Sequence, residues 1–270
     1  MLFGISSKVL HDYTLKDAIS IAGKYGYDVI EIWIDDFISS GLTPKQIIEL
    51  TESNNLQRTV HLRTDDLNIC SFNEGIRNES VKQIKEGIFI ASQIKASEAT
   101  LHPGRKTSKT NSLEDAWEIQ IESIKEILET AKNCGTILCV EGMEKTGSDF
   151  VLTPKDLSRI VKECQNGALG VTVDVSHLQT IGDAVTLLRE CEHLPIHNVH
   201  ISQTTSHALH LPLYLGNGDI DYTSVFKILR AFYNKAIIVE GYKKNMSMEI
   251  AEGSIKWYRK TMEEMFRDEK

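Results

Sequence analysis

Six short apolar runs in this chain each end on a side chain able to hold a metal ion. They are Thr59-Val-His61, Thr100-Leu-His102, Ile137-Leu-Cys-Val-Glu141, Leu169-Gly-Val-Thr-Val-Asp174, Ile196-His-Asn-Val-His200 and Ile237-Ile-Val-Glu240, and His177 follows Asp174 by three positions. Runs of this length rich in β-branched residues read as buried strands, so imidazoles and carboxylates stand where strands leave the core. Taken singly, each has a plainer reading. A strand-end Asp serves as a helix N-cap or turn residue, and a lone His as a hydrogen-bonded core or loop residue. Glu141 and Glu240 resist that reading, because an unpaired carboxylate closing a buried run is costly. A shared cation would remove the cost for all the carboxylates at once. Imidazole with carboxylate suits Zn2+, Mn2+, Fe2+ or Co2+ better than Ca2+, and the lack of thiolate at these ends points to an open, catalytic centre.

The elements that must position these residues alternate along the chain. Leu2 to Ser6 and Val29 to Ile34 read as strands and precede the six runs. Thr14 caps a helix that stops at Gly26, and Thr43-Pro44 and Thr153-Pro154 each pair a cap with proline at the first helical position. Further helices are expected from about Asn78 to Ala96, from Leu113 to Cys134 before Gly135, around Asp183 to Glu192, from an Asp221 cap through Tyr233, and from Met248 to Phe266. Gln203 to Asp219 reads as a long loop carrying His207, His210 and the turn Gly216-Asn-Gly218. Eight strand-helix units predict one (β/α)8 barrel domain over residues 1–270, with every strand's carboxyl end on one rim. An open doubly wound sheet is the alternative, but the glycine fingerprint it often carries after its first strand is missing.

Composition sets the outer limits. With 41% hydrophobic and 25% charged residues among 270, the chain can bury a large core. Its net charge of -8 argues against a nucleic-acid binder that neutralises phosphates over its whole surface, although Arg105, Lys106 and Lys109 make a short basic loop after His102. Five cysteines without a CxxC pair read as small buried hydrophobes. No run approaches the roughly 20 apolar residues of a membrane span, and the start is too quickly polar for a secretory signal, so a cytoplasmic location away from membranes is expected. Trp257, Tyr258 and Met262 on the last helix face either the barrel or a second copy, which leaves an oligomer open.

The motifs Val-Glu141-Gly, Val-Asp174-Val-Ser-His177, Val-His200-Ile-Ser and Val-Glu240-Gly resemble the xylose isomerase-like TIM barrel superfamily of sugar isomerases and epimerases, sugar-acid dehydratases and AP endonucleases of the endonuclease IV type. The resemblance runs over essentially the whole chain. In the epimerase branch it implies one divalent ion, Zn2+ or Mn2+ with Mg2+, Co2+ and Fe2+ as further candidates, on Glu141, Asp174, His200 and Glu240. It also implies His177 at substrate oxygens. In the endonuclease branch (AP endonuclease family 2) it implies a second ion with His61 and His102, and a third on His177 and an Asp-x-His after strand seven. Here that motif reads Ala208-Leu-His210, so the His is present and the Asp is not.

Two chemistries follow. A metal-dependent isomerase or epimerase would bind a sugar or sugar phosphate among His61, His102, His177 and His210. Glu141 and Glu240 would exchange the α-proton through a metal-stabilised enediolate. A phosphodiesterase would use clustered ions on an abasic site in nucleic acid. A third class, a non-catalytic barrel that binds metal or sugar, ranks below both because all four ligand positions are intact. The missing Asp at Ala208, the acidic balance and the lack of a long basic or aromatic insertion rank the isomerase first.

Overall fold

The computed structural model describes residues 1–145, 147–216 and 218–268. Strands β1 (Leu2–Ser6), β2 (Val29–Trp33), β3 (Gln57–His61), β4 (Glu98–Leu101), β5 (Ile137–Glu141), β6 (Leu169–Asp174) and β7 (Ile196–Ile201) run in chain order around a closed barrel. A short antiparallel pair, β8 (Gln203–Thr205) and β9 (Ala208–Leu211), stands apart before β10 (Ala236–Val239). β10 pairs with both β7 and β1, and all eight barrel pairings are parallel. Helices α1 (Leu15–Tyr25), α2 (Ile34–Ser40), α3 (Pro44–Ser53), α4 (Glu74–Gln93), α5 (Leu113–Cys134), α6 (Pro154–Cys164), α7 (Val175–Ile181), α8 (Ala184–Glu190), α9 (Tyr222–Phe232) and α10 (Ser247–Asp268) fall between or after the strands. The chain is a (β/α)8 TIM barrel.

Period-two alternation sorts the strand residues into two cores. One set, including Phe3, Ile5, Ile32, Val140, Val173, Val199 and Val239, packs outward with helix residues such as Ile19, Ile88, Ile124 and Phe226. The other set faces inward, because it makes contacts between strands that are not neighbours. Thr100 Oγ1 of β4 meets Thr172 Oγ1 of β6 at 3.0 Å, and Asn198 Nδ2 of β7 donates to Glu31 Oε2 of β2 at 3.0 Å. The floor of this interior is the apolar trio Val29, Ala236 and Ile238. Gly4 makes room for it, since a Cβ there would sit 2.5 Å from Ile238 Cδ1. Above the floor come the buried polar side chains of Glu31, Thr100, Thr172 and Asn198, and above those His61, Glu141, Asp174 and His200.

Local signals account for most helix boundaries. Thr14, Thr43, Ser112, Thr153, Asp183 and Asp221 all accept from backbone amides in the first turn of the helix they cap. Gly26 and Gly135 close α1 and α5 with φ of 79° and 67°. Several expectations need correction. α4 begins at Glu74, ahead of Asn78, because Asn73 caps it by accepting from Ile76 N–H at 3.3 Å. Ile34 starts α2 and does not extend β2, and α7 leaves β6 directly. The stretch after β7 is no plain loop: it holds the β8–β9 pair and a 3-10 turn at Leu213–Leu215. Asn217 of the expected Gly216-Asn-Gly218 turn lies outside the described residues. On α10, Tyr258 stacks on Phe3 at 3.8 Å and Trp257 meets Tyr222 edge-on at 5.5 Å, so both pack on the barrel. The five cysteines are free, with Cys70, Cys139 and Cys191 buried, and no described helix is long and apolar enough to cross a membrane.

Candidate metal centre

Glu141, Asp174, His200 and Glu240 converge at the carboxyl end of the barrel, each offering one ligand atom within 4.8 Å of the others. His200 is fully buried, and its Nδ1 lies 3.0 Å from Glu141 Oε1 and 3.1 Å from Glu240 Oε2. Asp174 unites the two readings its position allows. Its Oδ1 caps α7 by accepting from Ser176 N–H at 2.6 Å and His177 N–H at 3.0 Å, which leaves Oδ2 facing the cluster. Glu240 follows β10, and Gly241 behind it must be glycine: a Cβ there would lie 2.3 Å from the Leu211 carbonyl oxygen of β9.

Two further groups adjoin the first. His61, His102 and Glu141 form one, with Glu141 Oε2 at 3.1 Å from His102 Nε2 and 3.7 Å from His61 Nε2. Asp174, His177 and His210 form the other, with the two imidazole Nε2 atoms 3.4 Å apart. His61 Nδ1 lies 2.8 Å from Leu62 O, and His177 Nδ1 2.8 Å from Gly142 O. With Nδ1–H donated to those carbonyls, both rings turn Nε2 to the centre. His210 reaches His177 from β9 with φ of 52°, a left-handed backbone for a residue with a side chain. Ala208, where the endonuclease pattern has Asp, is exposed, and a different carboxylate, Glu144 Oε2, stands 3.5 Å from His177 Nε2.

Charge coupling sets the protonation of the group. Burial works against the ionised form of Glu141, yet the His200 charge and the imidazoles of His102 and His61 hold its carboxyl well below the usual range. Burial likewise opposes ionisation of Glu240, and His200 brings it down to about 2. Burial would lower His200, but the carboxylates of Glu240, Glu31 and Glu141 raise it well above its ordinary value. His177 is raised to about 9 against burial by Asp174, Glu141 and Glu144, and His61 moves up against burial through Glu141, Glu31 and Glu240. Without a metal the cluster is thus an array of carboxylates balanced by protonated imidazoles.

The donor set fits a divalent ion. Among the described residues Glu141 Oε2 and Asp174 Oδ2 are buried and make no well-formed hydrogen bond, their nearest donors being the His102 ring at 3.1 Å and the His177 ring at 3.7 Å. Anionic oxygens withdrawn from water with so little compensation are expensive, and a cation between them would supply a stronger partner. Oxygen and imidazole ligands in this number suit Zn2+ or Mn2+. A cavity of about 390 Å3 opens over the cluster, lined by Trp33, His61, His102, His177, His210 and Glu240 together with Lys8, His11, Glu144 and Tyr242. That is room for a small molecule.

The strand-end pattern marked His61, His102, Glu141, Asp174, His200 and Glu240, which the structure brings together, while His210 came from the expected loop, and the pattern missed the residues around them. Glu31 lies mid-strand in Val-Ile-Glu-Ile-Trp and approaches His200 Nε2 at 3.1 Å; its charge within an apolar alternation was the available signal. Trp33 stacks on His61 at 4.0 Å, and Lys8 lies over the Trp33 ring at 4.6 Å from a turn with no motif to mark it. Glu144 also lacks a signal, since it stands in an irregular segment after β5.

Comparison with known proteins agrees with this architecture. An uncharacterised protein of Methanocaldococcus jannaschii is 26% identical over 248 residues, covering 89% of this chain and 83% of its own. A probable endonuclease 4 of Finegoldia magna is 28% identical over 149 residues, 53% of this chain and 51% of its own. The solved structure of a D-tagatose 3-epimerase-like protein superimposes with a TM-score of 0.89 at 24% identity and covers 100% of both chains. The family model described as xylose isomerase-like TIM barrel matches residues 19–261, and the chain belongs to that family.

Proposed function

We propose that this protein is a divalent-metal-dependent epimerase or isomerase of a small sugar or sugar phosphate. The observation that carries the reading is the meeting of Glu141 and Glu240 at His200 Nδ1, with Asp174 completing a four-residue set under a small cavity. The fold shared with a D-tagatose 3-epimerase-like protein supports it. Glu141, Asp174, His200 and Glu240 would hold the ion. Bound there, the ion would chelate neighbouring carbonyl and hydroxyl oxygens of an open-chain sugar and stabilise the charge that develops on them as the α-proton leaves. Glu240, with a pKa of about 2, is ionised at neutral pH and is the carboxylate to take or return that proton, with Glu141, at the same nitrogen of His200, as its counterpart. His177, anchored through Nδ1 to Gly142, presents Nε2 to a substrate oxygen, and Trp33 offers an apolar wall to the carbon skeleton.

A second reading, endonuclease IV-like hydrolysis at abasic sites, is favoured by one observation. The His61–His102–Glu141 and Asp174–His177–His210 groups both lie within ligand range, and Glu144 occupies space beside His177. One experiment separates the two. Metal per chain is measured on freshly purified protein, which is then incubated with ketopentoses and ketohexoses, free and phosphorylated, in D2O. The epimerase reading expects close to one ion and solvent deuterium at the carbon next to the carbonyl of a substrate. Two or three ions with no exchange, and nicking of a duplex carrying an abasic site, would replace it with the endonuclease reading.

A further inference from the structure

We propose that Glu31 is a positioning residue of the metal centre, holding His200 in the tautomer that aims the Nδ1 lone pair at the cation. The proposal rests on the metal-centre reading above. Glu31 sits midway along β2 with 0% exposure, below the convergent cluster and on the far side of the His200 ring from it. Its Oε2 is 3.1 Å from His200 Nε2, while Nδ1 of the same ring faces Glu141 and Glu240.

Hydrogen-bond counting favours that tautomer. Asn198 Nδ2 is 2.9 Å from His200 Nε2 and, as a donor, would favour the ring with its proton on Nδ1, which could not ligate. But Asn198 Oδ1 accepts from Val199 N–H at 3.1 Å, which orients the amide, and its Nδ2 has Glu31 Oε2 at 3.0 Å and Thr100 Oγ1 at 3.3 Å as acceptors. An amide nitrogen carries two hydrogens, so both are taken. Nε2 then keeps its own proton and donates it to Glu31, so the proton that a cation would displace is the one on Nδ1, between Glu141 and Glu240. A carboxylate on the outer nitrogen of a ligating histidine fixes its orientation and raises its basicity, and such partners typically matter 10–100-fold in metal affinity.

The energetics argue for the same role. Glu31 Oε1 is buried with no hydrogen-bond partner among the described residues, and the ring it faces is itself buried. Its other oxygen, Oε2, is held only by the His200 ring and the Asn198 amide, so the carboxylate acts through His200.

The test uses the full chain stripped of metal by chelation and titrated calorimetrically with Mn2+. Relative to wild type, Glu31→Gln is expected to bind Mn2+ roughly 10–100-fold more weakly, with circular dichroism still that of the folded barrel. Adding Asn198→Asp to Glu31→Gln returns a carboxylate to His200 Nε2 and is expected to recover affinity. Unchanged affinity in Glu31→Gln overturns the proposal, as does a joint fall of affinity and metal-free midpoint that Asn198→Asp does not reverse. One readout needs no variant. In wild-type protein loaded with Zn2+, long-range 15N–1H correlations should show His200 protonated at Nε2, and protonation at Nδ1 overturns the proposal. A wild-type chain that binds no divalent ion would instead defeat the metal-centre reading.

Discussion

At the scale of single residues, Glu141 is the junction of the site. One oxygen faces His200 Nδ1 at 3.0 Å and the other faces His102 and His61, so it borders both the four-residue set and the histidine pair. Glu141→Gln and Glu240→Gln preserve side-chain shape and remove charge. Each is expected to lower kcat by about 10²–10⁴ or more while circular dichroism stays that of the folded barrel; wild-type turnover in both would end the shared-site reading. His102→Ala divides the chemistries. It spares all four members of the main set, so sugar epimerisation should fall by less than about tenfold, whereas a site needing a second ion on His61 and His102 should lose its activity and one bound ion per chain. The residues legible beforehand were those at strand termini, where an isolated charge after an apolar run stands out. Glu31 was not, because inside a strand its direction depends on which face of the sheet becomes the barrel interior, and only closure of the barrel decides that.

At the scale of elements, the caps were readable because they are local: Thr43 and Thr153 reciprocate with Gln46 and Asp156 within one turn. What escaped were pieces of three to seven residues whose stability is tertiary. α7 is capped by the strand-end Asp174 itself, and β8 and β9 pair with each other outside the barrel ladder, with little alternation to mark them. The hairpin nonetheless matters, since it carries His210 to within 3.4 Å of His177 and packs its Leu211 carbonyl against Gly241. Gly241→Ala would drive a Cβ to 2.3 Å from that oxygen, so the hairpin must shift. Amide exchange over Gln203–Leu211 is expected to accelerate by an order of magnitude or more, with the protection of β5 and β6 unchanged. Unaltered exchange in the hairpin would show that Gly241 does not seat it.

At the scale of the molecule, the barrel interior grades from an apolar floor to a mouth of ionised groups, which under the proposed metal-centre reading protons and a metal ion would compete to neutralise. In the metal-free chain His177 is raised from its ordinary 6.5 to about 9, so its contribution to stability is fully present below pH 6.5 and is lost as pH rises through 9. Glu240 is lowered from 4.5 to about 2, so its contribution is present above pH 4.5 and is lost as pH falls through 2. These two groups together place the highest metal-free thermal midpoint between about pH 4.5 and 6.5, with a decline toward pH 9. Under the proposed metal-centre reading, metal is expected to reverse the alkaline limb. Binding to His200, whose proton is held well above its ordinary value, must displace that proton, so affinity should rise by about tenfold per pH unit while one proton is released. At free Mn2+ of about 100 times its Kd, mass action adds about 2.7 kcal/mol, a gain of roughly 5–10 °C in the midpoint for a domain of this size. Differential scanning calorimetry at pH 6 and pH 8, with and without Mn2+, measures both effects. The gain at a fixed Mn2+ concentration should be larger at pH 8 and absent from an Asp174→Asn, Glu240→Gln double variant. A gain that persisted in that variant would place the stabilising ion somewhere other than this mouth.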